Sequence, residues 1–126
     1  MNHFILYVHD QASSTAFYTR VLDREPALHV PGMTEFRLSA DAVLGLMPSA
    51  GIEQLLGAAL GDAKPAPAMA RGELYVVVDD AESYHRRAVK AGARELSPLS
   101  PRDWGQEVAY SMDADGYVLA FASRTA

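Results

Sequence analysis

From His3 to Val8 the chain alternates with a period of two: Phe4, Leu6 and Val8 form an apolar set, and His3, Ile5 and Tyr7 form a mixed one. Successive strand side chains point to opposite faces, so this spacing predicts a strand whose two faces meet different surroundings, with the apolar set beneath a helix. The helix is signalled next. Asp10 is a capping residue type, Phe17, Tyr18, Val21 and Leu22 share one face at helical spacing, and Asp23 or Arg24 ends the pattern. Three short extended runs follow, Ala27 to Val30, Thr34 to Ser39 and Ala42 to Met47, parted by turns at Pro31-Gly32 and Ala40-Asp41. The order is β-α-β-β-β. Helical spacing then returns from Gly51 to Leu60, with Ile52, Leu55, Leu56 and Ala59 on one face.

The same order recurs further on. Glu73 to Val78 alternates like the first strand, with Leu74, Val76 and Val78 as the helix-side set and Glu73, Tyr75 and Val77 as the mixed set. Asp80 opens a helix that carries Ala81, Tyr84, His85, Ala88 and Ala91 on one face and stops at Gly92. Ala93 to Leu96, Gln106 to Met112 and Tyr117 to Ala122 supply three more strands, and Asp113-Ala-Asp-Gly116 is the hairpin turn before the last. Between the halves, Ala63 to Ala70 is rich in alanine and proline and reads as a semi-rigid linker. The expected architecture is α+β. Residues 1–126 form one domain of two tandem βαβββ modules, 1–62 and 72–126 joined by a linker at 63–71, whose curved mixed sheets form a cleft.

Composition narrows the function. A chain of 126 residues, 49% hydrophobic and 21% charged, is long enough for a real core. Its net charge of -5 argues against nucleic-acid binding, which relies on clustered Lys and Arg, and mildly favours a basic ligand. With no cysteine, a disulfide framework, a zinc-thiolate site and a thiol nucleophile are excluded. The apolar run Phe4 to Val8 is too short for a signal-peptide core or a membrane span, so a cytoplasmic protein without a membrane partner is expected.

Tyr7-Val-His-Asp10, Ala16-Phe-Tyr-Thr-Arg-Val-Leu22, Pro31-Gly-Met-Thr-Glu-Phe36 and Asp113-Ala-Asp-Gly-Tyr-Val-Leu119 together resemble the vicinal oxygen chelate superfamily over nearly the whole chain. That group includes glyoxalase I, extradiol dioxygenases, fosfomycin-resistance enzymes and bleomycin-resistance binding proteins. The resemblance implies a divalent metal held by one ligand on the first and one on the last strand of each module. Carried over, those positions are His3, Gly45, Glu73 and Ala120. Glycine and alanine have no donor, whereas such metals need at least three protein ligands. No metal and no cofactor is therefore expected, a divalent ion at His3 and Glu73 being the alternative.

Losing two carboxylates is expected to leave the cleft floor roomier and less polar, which suits a flat organic ligand. His3, Tyr7, Glu73 and Tyr75 are candidate polar groups, and Gly45 and Ala120 the floor. Phe36 and Met47 are candidate walls if strand parity turns them inward. Trp104, the only tryptophan, lies in Pro101-Arg-Asp-Trp-Gly105, where the resemblance places an aromatic that closes over the ligand. The leading expectation is a metal-independent binding protein of the bleomycin-resistance type, sequestering a planar or cationic natural product or antibiotic in a cleft of its homodimer, with no catalytic residue. The alternative is a glyoxalase-like lyase or isomerase, or an extradiol-type dioxygenase, with an incomplete or relocated metal site or with His3 and Glu73 as an acid-base pair.

Overall fold

A computed structural model describes residues 1–60 and 70–125, so the expected linker lies outside the described residues except for its last two positions. The chain divides into two compact units, Met1–Lys64 and Pro65–Ala126. The first holds β1 (Asn2–Val8), α1 (Gln11–Leu22), β2 (Leu28–Val30), β3 (Met33–Ser39), β4 (Ala42–Pro48) and α2 (Ser49–Leu60). The second holds β5 (Gly72–Val77), α3 (Ala81–Lys90), β6 (Arg94–Pro101), β7 (Gln106–Met112) and β8 (Tyr117–Arg124). Each unit builds a four-stranded sheet, in the orders β1-β4-β3-β2 and β5-β8-β7-β6. The first strand of each runs parallel to the last, and the other neighbours are antiparallel. This is the glyoxalase-type arrangement of two βαβββ modules.

Both helices that follow a first strand begin on an aspartate cap. Asp10 accepts a hydrogen bond from the Ser13 amide at 3.0 Å, and Asp80 from the Ser83 amide at 3.1 Å and the Ser83 hydroxyl at 2.7 Å. These bonds hold both carboxyls below the ordinary value of 3.8. α1 ends on Asp23 in the left-handed region at φ 53°. Beyond α3, Gly92 takes φ +115°, and the Ala93 amide donates back to the Ala88 carbonyl at 2.9 Å. The hairpin joining β7 to β8 is held by Asp113, whose Oδ1 accepts from the amides of Asp115 and Tyr117, both at 2.9 Å.

In each unit a core lies between the sheet and its helix. Val8, Phe36, Leu44 and Leu46 pack with Tyr18, Val21 and Leu22 in the first unit. Leu119 and Phe121 are buried in the second, where Phe121 meets Tyr84 with ring centroids 5.3 Å apart. Buried Thr34 ties the β2–β3 hairpin to α1, because its hydroxyl meets Gln11 Nε2 at 2.9 Å, Thr15 Oγ1 at 2.9 Å and His29 Nδ1 at 2.8 Å. One expectation is corrected here. Phe4 is 60% exposed, because α1 packs on β3 and β4 and leaves the start of β1 uncovered within its unit. His85, on the helix face shared with Ala81 and Ala88, is buried on α3, with Nε2 2.8 Å from Glu95 Oε2.

Candidate functional site

Register sorts the side chains of the first sheet. Ile5 pairs with Gly45 and Tyr7 with Met47 on β1–β4, while Glu35 pairs with Gly45 on β3–β4. Paired residues project to the same face, so His3, Ile5, Tyr7, Met33, Glu35, Val43, Gly45 and Met47 share the side opposite the α1 core. Phe36 does not. It pairs with Leu44, is fully buried, and belongs to the helix-side core, which corrects its expected place in the site wall. One residue of parity decides this outcome.

The floor at Gly45 is not roomy. A Cβ built there would lie 3.1 Å from Ile5 Cγ1 and 3.3 Å from Met33 Sδ, so aliphatic and thioether atoms occupy the space a carboxylate would need. His3 has instead a carboxylate partner two strands away on β3, with Nδ1 3.5 Å from Glu35 Oε2 across β4. Tyr7 and Met47 are half-buried beside one another.

The second sheet repeats the parity. Tyr75, Ala120 and Tyr110 form one row across β5, β8 and β7, and Val77, Ala122 and Val108 form the next. Val108, Ala120 and Ala122 are fully buried, with Tyr110 packed against them, so this floor too is covered rather than open. Tyr75 accepts a hydrogen bond from the indole Nε1 of Trp104 at 3.0 Å and donates its hydroxyl to Gln106 Oε1. Trp104 is 53% and Tyr75 39% exposed. Trp104 rides the β6–β7 turn, which Arg102 anchors by donating to Ser97 Oγ and the Val108 carbonyl, both at 2.9 Å, while its guanidinium lies 5.1 Å from the Tyr110 ring centre.

Glu73 stands on the same face, exposed, two residues before Tyr75. Burial first, and then the Glu73 carboxylate and Tyr75, raise the Tyr110 phenol above its ordinary value against the opposing charge of Arg102. The face sets a phenol donor and the Glu73 side-chain oxygens among aromatic rings. As a metal centre the residues do not fit. Position 45 is walled by apolar atoms, position 120 is a covered alanine, and among the described residues no three His, Cys, Asp or Glu side chains group to hold an ion.

A sequence model of the Glyoxalase/Bleomycin resistance protein/Dioxygenase superfamily matches residues 1–121. The chain belongs to this superfamily. Solved structures agree on the fold. A glyoxalase/bleomycin resistance protein/dioxygenase family enzyme from Burkholderia phytofirmans PsJN superposes with a TM-score of 0.80 at 16% identity, covering 98% of this chain and 97% of its own. A glyoxalase-related enzyme from Fulvimarina pelagi gives 0.78 at 19%, covering 98% and 87%. A glyoxalase/bleomycin resistance protein/dioxygenase from Nocardioides gives 0.76 at 19%, covering 98% and 82%. No curated protein matches the sequence. Likenesses this distant carry the superfamily's fold and not a member's reaction.

Within this superfamily scaffold, sequence reasoning named Glu73, Tyr75, Trp104 and Ala120 on the second sheet, and they share one face or its rim. It missed Arg102, Gln106, Tyr110 and, on the first sheet, Glu35. Two signals could have found them: Arg102 and Gln106 flank the Asp-Trp-Gly turn, and Tyr110 and Glu35 have inward parity on strands that were placed correctly. No helix among the described residues is long and apolar enough to cross a membrane.

Proposed function

We propose that the protein is a metal-independent small-molecule binder of the bleomycin-resistance type, which acts as a homodimer and sequesters a planar or cationic organic ligand against the aromatic face of its second sheet. The observation that carries this reading is the combination on that face: an alanine where a metal-binding carboxylate would stand, half-exposed Trp104 and Tyr75 rings, and the exposed Glu73 carboxylate. Aromatic faces attract flat rings and cations, and a nearby carboxylate adds charge pairing for the cation. The ligand sits on the rings rather than in a vacated chelating cavity.

N-methylquinolinium, a planar cation, tests the reading through quenching of the single tryptophan. Saturable quenching is expected, and Trp104→Ala, followed by calorimetry, weakens binding by about 1–3 kcal/mol, as for an aromatic anchor. Glu73→Gln weakens the cation but not neutral quinoline. Unchanged affinity in Trp104→Ala sinks the proposal. Sedimentation at micromolar concentration checks the homodimer.

A second reading, an acid-base enzyme of the lyase or isomerase kind, is favoured by the approach of His3 to Glu35 within the first unit. Turnover of glutathione hemithioacetals or catechols, abolished by His3→Ala, would support it over simple binding.

A further inference from the structure

An aromatic residue on a surface turn usually samples several rotamers and is ordered only when something lies against it, which weakens binding because the ordering must be offset. Trp104 is placed differently. Its turn is fixed from below by Arg102, whose side chain reaches Ser97 and Val108 and whose own amide donates to the Gln106 carbonyl at 2.8 Å. Its ring is fixed from the side, because the one polar atom of the indole donates to Tyr75. Tyr75 in turn donates to Gln106. The order is self-consistent: a phenol that accepts from an N–H is a stronger donor to the next oxygen.

This relay depends on the small residues of β8. Tyr75 belongs to β5 and Gln106 to β7, and β8 runs between them. The bond from Tyr75 to Gln106 therefore spans β8, on the face where β8 presents Ala120 and Ala122. A phenol ring can lie over a strand only where that strand's side chains are short. The alanine that removes a metal donor from the superfamily pattern thus also opens the path by which Tyr75 reaches the tryptophan.

We infer that Tyr75 and Gln106 are positioning residues that hold the Trp104 indole in its stacking orientation before any ligand arrives, so that the aromatic face is preset instead of closing over its ligand. The value of this arrangement for affinity rests on the binding function proposed above. The hold on the indole does not.

Trp104 is the only tryptophan, so a uniformly 15N-labelled protein gives one indole N–H resonance to follow. Tyr75→Phe keeps the ring and removes the acceptor. Its indole resonance is expected to move upfield and exchange faster with solvent, its fluorescence anisotropy to decay faster, and its N-methylquinolinium dissociation constant to rise about two- to tenfold, the range for ordering one side chain. Gln106→Leu moves the resonance in the same direction by less, and Gln106→Glu, which keeps an oxygen acceptor, restores it. An unmoved resonance with unchanged anisotropy in Tyr75→Phe overturns the inference, as does a Gln106→Glu variant that behaves like Gln106→Leu. If the resonance responds as expected but no variant, nor the wild type, binds the probe, the positioning holds and the proposed function falls. If the probe binds the Tyr75 and Gln106 variants like the wild type while the resonance stays put, the positioning falls and the function stands.

Discussion

Gly45 and Ala120 occupy equivalent places on the last strands of two like-folded sheets, yet their surroundings differ in kind. Around Gly45 the space is taken by the ends of Ile5 and Met33, flexible apolar atoms that present no recognition chemistry of their own. Around Ala120 it is taken by an aromatic and polar group, with Tyr110 packed on the alanines and Tyr75 reaching over β8 to Gln106 and Trp104. Protein interiors are packed to crystal-like density, so a shortened side chain is replaced by whichever neighbour can reach. A position without a donor side chain is therefore not an empty seat. What moves in decides whether the position ends beneath aliphatic atoms or beneath an aromatic and polar group.

The contrast is broken most forcefully by putting a carboxylate at the second position. Ala120→Glu adds bulk and charge at a fully buried site, and a loss of about 3 kcal/mol is expected in urea denaturation. The Trp104 emission should shift with it, since the longer side chain obstructs Tyr75. Full stability with wild-type emission would show that no ring depends on the alanine.

A smaller effect tests the first position. Gly45→Ala should cost about 1 kcal/mol through its contacts with Ile5 and Met33, and less in a Met33→Ala background, where the contact with Ile5 remains. Equal costs in the two backgrounds would mean that Met33 is not what fills the space.

The smallest expected effect concerns what the two units share, their aspartate caps. The Ser83 hydroxyl and amide stabilise the Asp80 carboxylate and lower its pKa below the ordinary 3.8, so the contribution is complete above that value and is lost as the pH falls through the folded one. The wild type should exceed Asp80→Asn in Tm near neutrality, and the gap should close in acid. Asp10→Asn in the first unit should behave alike, the Ser13 amide being its first stabilising partner. A gap that stays constant with pH would remove the charge from the explanation.

The fold was readable because its signals are local. Period-two alternation, the Asp10 and Asp80 caps, Gly92 and the Asp113 turn each act within a few residues, and the strands and helices they mark are present. The site was readable only in part. Glu73, Tyr75 and Trp104 could be named from parity and motif, but Gln106 matters because of which residue crosses β8 to meet it, a relation set by register between strands distant in sequence. Phe36 failed for a related reason, since its face follows from pairing with Leu44. The expected open floor failed because a sequence shows which side chain is short and not which neighbour leans over it.

The placement of β5 carries one more consequence. It lies at the edge of its own sheet and is held by a single ladder, to β8, whereas β8 and β7 are each bonded on both sides. Detaching an edge strand breaks half as many ladders as detaching an interior one, so segments of this kind open at lower free energy than the whole domain. Glu73 and Tyr75 therefore ride on a strand whose opening leaves the β7–β8 hairpin folded, giving that face a local melting of its own.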